Sequence, residues 1–351
     1  MGKRYIIHGA GAVGGLLGGR LAETGADVIL IARAPVANAI RANGLTIRTP
    51  QGDSNIRNIT AVTSPVDITP GDGDIILLTV KSGQTQQAIQ QLRETFDRDT
   101  PVFCAQNGVR NEEIAGGRFR RIHGMMVSPS VTMLEPGVIA HTNWDALALG
   151  AWPLGFDETT NEVAQDLADA GFTVTTHRAV MAVKWAKLLL NLNNAMHAIT
   201  GQWVQLTLVE PEYCQFMAEV IEEGLRALTA AGISIEAENS PVDVAGRLAH
   251  MRGIREDKAV IAAAQNLAPE LRIWPSTLID LQNQRGEVET GYLNAEIMLL
   301  GEKTGVPTPY NTVLYNVVEQ MAMERQAPGK YSLADLRDMV AQQIAGPAQE
   351  T

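Results

Sequence analysis

The feature that most constrains this fold is a glycine-rich segment that directly follows the first predicted strand. The strand Arg4–His8 leads into Gly9-Ala10-Gly11-Ala12-Val13-Gly14, which opens a helix. Glycines here allow a tight turn and a close approach of the backbone to a pyrophosphate, whose charge the first N–H groups of the helix stabilise. Because the motif joins a strand to a helix, we interpret these six residues as a dinucleotide-binding loop; an ordinary strand–helix turn is the alternative.

The first half of the chain alternates short apolar runs with amphipathic segments. Asp27–Ala32 and Asp74–Val80 are apolar runs, and Gln84–Phe96 has a helical pattern. This alternation is typical of βαβ units and predicts a parallel sheet. Near residue 178 the pattern changes to long stretches with a helical period. The 351 residues are therefore predicted to form an α/β Rossmann domain over 1–178 and an all-helical domain over 179–351.

Charge and composition narrow the classes of partner. The formal net charge is −11, from 28 Lys+Arg and 39 Asp+Glu. A protein that binds nucleic acid or an anionic membrane through phosphates normally carries the opposite sign, so neither partner is expected. Two cysteines and no short Cys/His spacing predict neither a disulfide framework nor a metal site. Because the sequence has no signal-peptide pattern and no long apolar run, we expect a cytoplasmic protein.

The end of the second predicted strand distinguishes between the two nicotinamide cofactors. An Asp or Glu at this point would accept a hydrogen bond from the ribose 2′-OH of NAD. This sequence instead has Ile31-Ala32-Arg33. The guanidinium of Arg33 suits a 2′-phosphate because it is planar, permanently charged and bidentate. The sequence therefore favours NADP (NADPH), with a solvated surface arginine as the alternative.

Two further polar residues, Lys81 and Asn107, each follow an apolar run. In an open α/β sheet, ligands bind outside the carboxyl ends of the strands. Both residues are therefore expected in the same crevice as the dinucleotide. For Asn107, a plain turn residue before Gly108 is the alternative.

The predicted helix Val183–Thr200 carries a polar stripe. Lys187, Asn191 and Asn194 stand at i, i+4 and i+7 on one face, and most of the remaining residues are apolar. Polar groups in a buried helix need partners or a ligand. A lysine in such a setting is a candidate proton donor. A solvated stripe is the alternative interpretation.

Ser276 and Glu289 lie in two other segments with helical patterns. Ser276 stands in a context that is typical of helix capping. Glu289 lies in the first turn of a predicted helix, Val288–Thr304, where the helix dipole stabilises a carboxylate. Each residue therefore has a structural alternative to a functional role.

An ordered set of motifs resembles the ketopantoate reductase (2-dehydropantoate 2-reductase) family along nearly the whole chain. The set comprises GAGAVGG at Gly9–Gly15, LIAR ending in Arg33, TVKS around Lys81, QNGV around Asn107, KWAKLLLN at Lys184–Asn191, PSTLIDL at Pro275–Leu281 and EVETGYLN at Glu287–Asn294.

This resemblance implies a fold, a reaction and roles for single residues. It implies a Rossmann domain that carries NADPH and a helical domain of the 6-phosphogluconate-dehydrogenase-like type. The implied reaction reduces a small-molecule 2-oxo acid, 2-dehydropantoate, to pantoate in pantothenate and coenzyme A biosynthesis. Lys187 resembles the general acid of the family, and Glu289 its partner carboxylate. Asn107, Asn191 and Ser276 resemble its contacts with the substrate and the nicotinamide ribose.

The sequence departs from the family pattern at one site position. The family often has an asparagine eight residues after its lysine, where this chain has Ala195. Asn194 is the candidate that replaces it in substrate binding.

Two other functions fit the same motifs. A paralogous reductase would act on another 2-oxo acid, because a fold and its chemistry are kept while the substrate changes. A non-catalytic NADP(H)-binding sensor would have no need of Lys187 and Glu289. A homodimer is one possible assembly state.

Overall fold

The computed structural model describes residues 2–143, 145–284 and 286–346. Two compact units divide the chain: unit 1 extends to Trp185 and includes Ile235–Pro241, and unit 2 contains Ala186–Ser234 and the residues from Val242 onward. The chain passes from unit 1 to unit 2 between Trp185 and Ala186. The division after residue 178 falls before this passage and, as a domain boundary, stays a prediction.

Unit 1 is an α/β unit. Its strands are β1 (Arg4–His8), β2 (Asp27–Ile31), β3 (Leu45–Thr49), β4 (Gly52–Ile56), β5 (Thr60–Val62), β6 (Asp74–Leu78), β7 (Val102–Cys104), β8 (Ile122–Val127), β9 (Ser130–Glu135), β10 (Val138–Asn143), β11 (Ala146–Ala151) and β12 (Thr173–Thr176). Its helices are α1 (Ala12–Glu23), α2 (Ala34–Asn43), α3 (Thr85–Arg93), α4 (Asn111–Gly116) and α5 (Glu158–Asp169).

The large sheet has the strand order β12-β11-β8-β7-β6-β1-β2-β5. The strands from β5 to β8 in this order pair in parallel, as predicted. At the other end of the sheet, β11 pairs antiparallel with β8. The chain reaches β11 through the hairpin of β9 and β10. That hairpin belongs to a second sheet of order β4-β3-β10-β9.

The central strands of the large sheet are buried on both faces, as expected of strands covered by helices. Every residue of β6 is buried. Helix α1 approaches one face closely because Gly18 carries no side chain: a Cβ there would lie 2.6 Å from Leu30 Cδ2. This packing places the start of α1 at the carboxyl edge of β1.

Unit 2 consists of helices in the residues that the structure describes. They are α6 (Val180–Asn191), which begins in unit 1, α7 (Asn194–Thr200), α8 (Val204–Thr207), α9 (Pro211–Ala230), α10 (Val244–Gly253), α11 (Lys258–Gln265), α12 (Ser276–Gln282), α13 (Asn294–Thr304), α14 (Pro309–Met323) and α15 (Leu333–Ala345).

Two predicted helices differ from those observed. The helix Val183–Thr200 is wrong as one element, because α6 ends at Asn191 and α7 begins at Asn194. The helix Val288–Thr304 starts later than predicted, at Asn294, and a short 3-10 helix, Thr290–Tyr292, precedes it. Within residues 2–143, 145–284 and 286–346, none of the helices combines the length and apolar character of a membrane span.

Buried histidines predict a loss of stability in mild acid. Burial lowers the pKa of His8 and of His197 to about 4. Below a pH of about 6.5 the unfolded chain takes up protons that these folded side chains do not. The free energy of unfolding should therefore fall from pH 6.5 toward pH 4, by about 1.4 kcal/mol per pH unit for each histidine. Above pH 6.5 both states are neutral, and these groups contribute no pH dependence.

Urea denaturation at pH 7 and pH 5 measures this effect. We expect a smaller fall in a His197→Gln variant than in the wild type, because one titrating group is gone. A His250→Gln variant is the control, since His250 is exposed. The prediction is contradicted if the wild type and His197→Gln lose the same free energy between the two pH values.

Candidate functional site

The glycine-rich loop joins β1 to α1 against the end of β6. Gly9 has a φ of 109°, and a Cβ there would lie 2.6 Å from Val80 N. A Cβ on Gly14 would lie 2.4 Å from Thr79 Oγ1. The Thr79 hydroxyl donates a hydrogen bond to the Gly9 carbonyl at 2.9 Å. Side chains at these two glycines would therefore separate the loop from the strand end.

The start of α1 is suited to an anion. Its N-cap, Gly11, is exposed, no side chain caps the helix, and its first turn contains no acidic residue. The N–H groups of Gly9 and Ala10 both bond to the Ile31 carbonyl, at 3.1 and 3.0 Å, which ties the loop to β2. The first N–H groups of a helix lack intrahelical partners, and the dipole is positive there. The exposed start of α1, with no side chain capping it, thus fits a pyrophosphate.

Arg33 lies at the neighbouring strand end. It is the exposed N-cap of α2, two residues after β2, and the first turn of α2 contains no acidic residue. This edge of the sheet therefore carries a permanent cation beside the glycine-rich loop. An acidic residue at the same position would instead favour the ribose 2′-hydroxyl of NAD.

Lys81 and Asn107 follow β6 and β7, which are neighbours in the sheet. Lys81 is exposed, and Asn107 is half-buried between β7 and α4. The Asn107 carbonyl accepts hydrogen bonds from Ser82 Oγ at 2.9 Å and from Asn111 Nδ2 at 2.8 Å. The loops after these two strands are therefore joined at the carboxyl edge of the sheet.

A buried polar network, which sequence reasoning missed, supports these loops. Gln106 Nε2 donates to the Val80 carbonyl at 2.7 Å and to Thr85 Oγ1 at 2.8 Å. The Thr85 hydroxyl donates to Asn111 Oδ1 at 2.7 Å. Gln106, Thr85 and Asn111 are all buried. Gln106 directly follows an apolar run and precedes Asn107, and this position in the sequence could have indicated that its side chain supports the same loop.

A buried ion pair spans the segment that carries Asn107. Lys184 of α6 contacts the carboxylate of Glu112 in α4, and their side chains are 2% and 0% exposed. Lys184 Nζ also donates to the Cys104 carbonyl, at the end of β7, at 3.4 Å. One ammonium therefore holds both ends of the β7–α4 connection. The partners are 72 residues apart, so no local pattern indicated them.

Unit 2 carries the polar stripe. Lys187 and Asn191 are half-buried on α6, and Asn194 is the half-buried first residue of α7. Ala195 is 1% exposed. Of Asn194 and Ala195, only Asn194 has a side chain that is accessible to solvent.

Ser276 does not cap its helix, and Glu289 lies outside the helix predicted to contain it. Ser276 is the exposed first residue of α12; the N-cap is Pro275, and no side chain caps this helix. Glu289 is half-buried before the short 3-10 helix, and α13 begins only at Asn294. Helix α12 packs against α7, so the helices that start with Ser276 and Asn194 are neighbours within unit 2.

Two family models match the chain. The model described as ketopantoate reductase PanE/ApbA matches residues 5–153. The model described as ketopantoate reductase PanE/ApbA C terminal matches residues 179–322. Together they cover most of both units.

Curated relatives and solved structures agree with these matches. The 2-dehydropantoate 2-reductase of Pyrococcus horikoshii is 29% identical over 323 residues, which is 90% of this chain and 96% of that protein. A PanE/ApbA family ketopantoate reductase structure from Ralstonia eutropha is 29% identical with a TM-score of 0.74, over 92% of this chain and 99% of the other. A D-mandelate dehydrogenase structure with NADH and anilino(oxo)acetate has a TM-score of 0.77 over 92% and 99% of the two chains; at 21% identity it shows the shared fold alone.

The Lys184–Glu112 pair predicts strong coupling between two distant positions. Lys184→Met leaves a buried carboxylate without its cation and should lower the free energy of unfolding by about 3–5 kcal/mol. Adding Glu112→Leu should recover most of this loss, because neither charge then remains buried. Urea denaturation of both single variants and the double variant measures the coupling.

The exposed pair Arg120–Asp99, at 3.2 Å, is the matched control. Arg120→Met should change stability by less than about 1 kcal/mol, since exposed ion pairs contribute little. Additive losses in the Lys184 and Glu112 variants would show that the two side chains do not stabilise each other.

Proposed function

The chain belongs to the ketopantoate reductase family, and from this premise we propose that it reduces a 2-oxo acid to a 2-hydroxy acid with NADPH, with 2-dehydropantoate as the substrate and pantoate as the product. The observation that carries the proposal is that the family models match both units. Unit 1 contains a strand–loop–helix turn whose helix start no side chain caps, and unit 2 contains the half-buried Lys187 on a mostly apolar helix.

The residues of unit 1 hold the dinucleotide. The N–H groups at the start of α1 bind the pyrophosphate; Gly9 and Gly14 keep the loop against the strand end, and the exposed Gly11 lets the ligand approach the backbone. Lys81 and Asn107 bind the cofactor from the loops after β6 and β7. When bound, the dinucleotide supplies a hydride to the C2 carbonyl of the substrate.

Arg33 selects NADPH over NADH. Its guanidinium binds the 2′-phosphate, which NADH lacks, through charge-assisted hydrogen bonds. The exposed position at the N-terminus of α2 adds the positive end of that helix dipole.

Lys187 supplies the proton. Hydride addition to C2 leaves negative charge on the carbonyl oxygen, which the ammonium of Lys187 stabilises and protonates. Glu289 is its partner carboxylate. The redox change is confined to the cofactor and the substrate, so the side chains only bind these molecules and transfer a proton.

Asn107, Asn191, Asn194 and Ser276 orient the substrate through hydrogen bonds to its carboxylate and hydroxyl groups. Asn194 takes the role that the family often assigns to the position of Ala195, because the buried alanine offers neither an amide nor access.

The decisive experiment follows NADPH oxidation with a panel of 2-oxo acids that includes 2-dehydropantoate. We expect the highest kcat/KM with 2-dehydropantoate. In Lys187→Ala, kcat should fall by about 100-fold or more, within the range for loss of a general acid, while NADPH binding is retained.

Lys258→Ala provides the control, because Lys258 is an exposed lysine on α11. Its kcat should equal that of the wild type. A better substrate elsewhere in the panel would identify a paralogous reductase. NADPH binding without turnover of any 2-oxo acid would favour a sensor, and near-normal turnover in Lys187→Ala would remove the role of that residue.

Arg33→Ala tests the choice of cofactor. Loss of a charge-assisted contact should raise the Kd for NADPH by about tenfold or more and leave the Kd for NADH nearly unchanged. Fluorescence titration with both dinucleotides measures this difference. Arg98→Ala, at another exposed arginine of unit 1, should change neither value. Equal weakening of both dinucleotides by Arg33→Ala would refute the 2′-phosphate contact.

A further inference from the structure

A buried asparagine connects two separate segments of unit 2. Asn294, the first residue of α13, is 1% exposed. Its amide Nδ2 donates to the Leu192 carbonyl at 3.1 Å and to Asn311 Oδ1 at 2.9 Å. A single side-chain amide therefore bonds to the chain just beyond α6 and to α14.

The Asn311 end of this connection is itself anchored. Asn311 Nδ2 donates to Glu223 Oε1 at 2.8 Å. The backbone N–H groups of Tyr310 and Asn311 also donate to the Glu223 carboxylate, at 3.0 and 2.8 Å. Glu223 and Asn311 are each 0% exposed. A buried carboxylate of α9 thus stabilises the start of α14 and holds the partner of Asn294.

The segments that Asn294 joins are those that carry Lys187 and Glu289. Leu192 directly follows Asn191, at the interruption between α6 and α7. Asn294 directly follows the segment of Glu289 and the short 3-10 helix, whose Tyr292 N–H donates to the Glu289 carbonyl at 2.8 Å. The Asn294 amide is therefore a direct link between the end of the lysine helix and the glutamate turn.

The Asn294 amide is buried with one of its two polar atoms unpaired among the described residues. Asn294 Oδ1 is buried and has no hydrogen-bond partner among the described residues. A buried unsatisfied acceptor costs desolvation free energy, which an apolar side chain of similar size would avoid. The amide donor offsets this cost by bonding to two buried acceptors, the Leu192 carbonyl and Asn311 Oδ1, which a leucine would leave without that donor.

We propose that Asn294 is a positioning residue for the reduction. By bonding to the Leu192 carbonyl, it fixes the end of α6 relative to the Glu289 turn and so sets the separation between the Lys187 ammonium and the Glu289 carboxylate. The inference rests on the proposed function for its consequence in catalysis, but the link itself is testable without any substrate. Small displacements of catalytic groups reduce rates strongly, because proton transfer needs aligned atoms.

The test is an Asn294→Leu variant, which removes the donor and keeps the approximate volume. We expect kcat to fall at least about tenfold, while the KM for the 2-oxo acid and the Kd for NADPH change less than about threefold. Hydrogen–deuterium exchange should rise in peptides that cover residues 188–200, because the interruption between α6 and α7 loses its cross-link.

Two control variants separate positioning from general stability. Leu228→Ala removes buried side-chain volume from α9 and should lower the melting temperature without reducing kcat. Asn266→Leu removes an exposed amide whose Nδ2 donates to the Ala262 carbonyl at 2.8 Å, and should leave the exchange over residues 188–200 and kcat unchanged.

Each outcome decides between a positioning and a merely structural role. Unchanged exchange over residues 188–200 in Asn294→Leu overturns the link, whatever the enzyme reduces. Increased exchange with a normal kcat, or a kcat that Leu228→Ala lowers equally, overturns the positioning role. If the wild-type protein reduces no 2-oxo acid, the proposed function is wrong. The exchange comparison then still decides whether Asn294 links the two segments.

Discussion

The close contact between the β1–α1 loop and the end of β6 is the constraint on which the cofactor unit depends. Gly9 and Gly14 lie so near Val80 and Thr79 that a Cβ on either would enter the space of the strand end. This contact brings the start of α1 to the carboxyl edge of the sheet. Arg33, Lys81 and Asn107 reach the same edge because their strands run parallel to β1 or to its neighbours. Parallel pairing therefore brings separate segments of the chain to one edge of the sheet.

Buried polar groups hold the functional segments in both units. In unit 1, Lys184 and Glu112 span the connection that carries Asn107, and Gln106 joins it to the loop after β6. In unit 2, Asn294 bonds to the chain at the end of the Lys187 helix. Such groups are costly to bury, and apolar residues would stabilise the same helices at lower cost. Directional bonds instead specify one arrangement of each loop, which a reaction that depends on geometry requires.

Local sequence patterns predict much of the fold, and the differences between the predicted and the observed elements have identifiable causes. The strand Arg4–His8 is predicted with its observed bounds, because a β-branched run ends at a glycine. The alternation of strands and helices indicates the parallel strands β1, β2, β6 and β7, whereas the antiparallel pairing of β11 with β8 lies in the β-rich stretch from β8 to β11, where composition does not specify strand direction. The single helix over Val183–Thr200 is wrong because its apolar pattern continues through a break at Leu192 and Asn193. Periodicity reports which residues are buried, and it does not report whether the helix is continuous.

The sequence by itself determined the class of the protein, because spacing within a few residues encodes a dinucleotide loop and ordered motifs identify the family. Gly9–Gly14, Arg33 and Lys187 are all candidates from residue type and spacing alone. Only the tertiary structure decided which buried groups support them. Lys184 meets Glu112, and Asn294 meets Leu192, across 72 and 102 residues of chain. Contacts between positions so far apart arise from packing, and no local pattern of residue types specifies them.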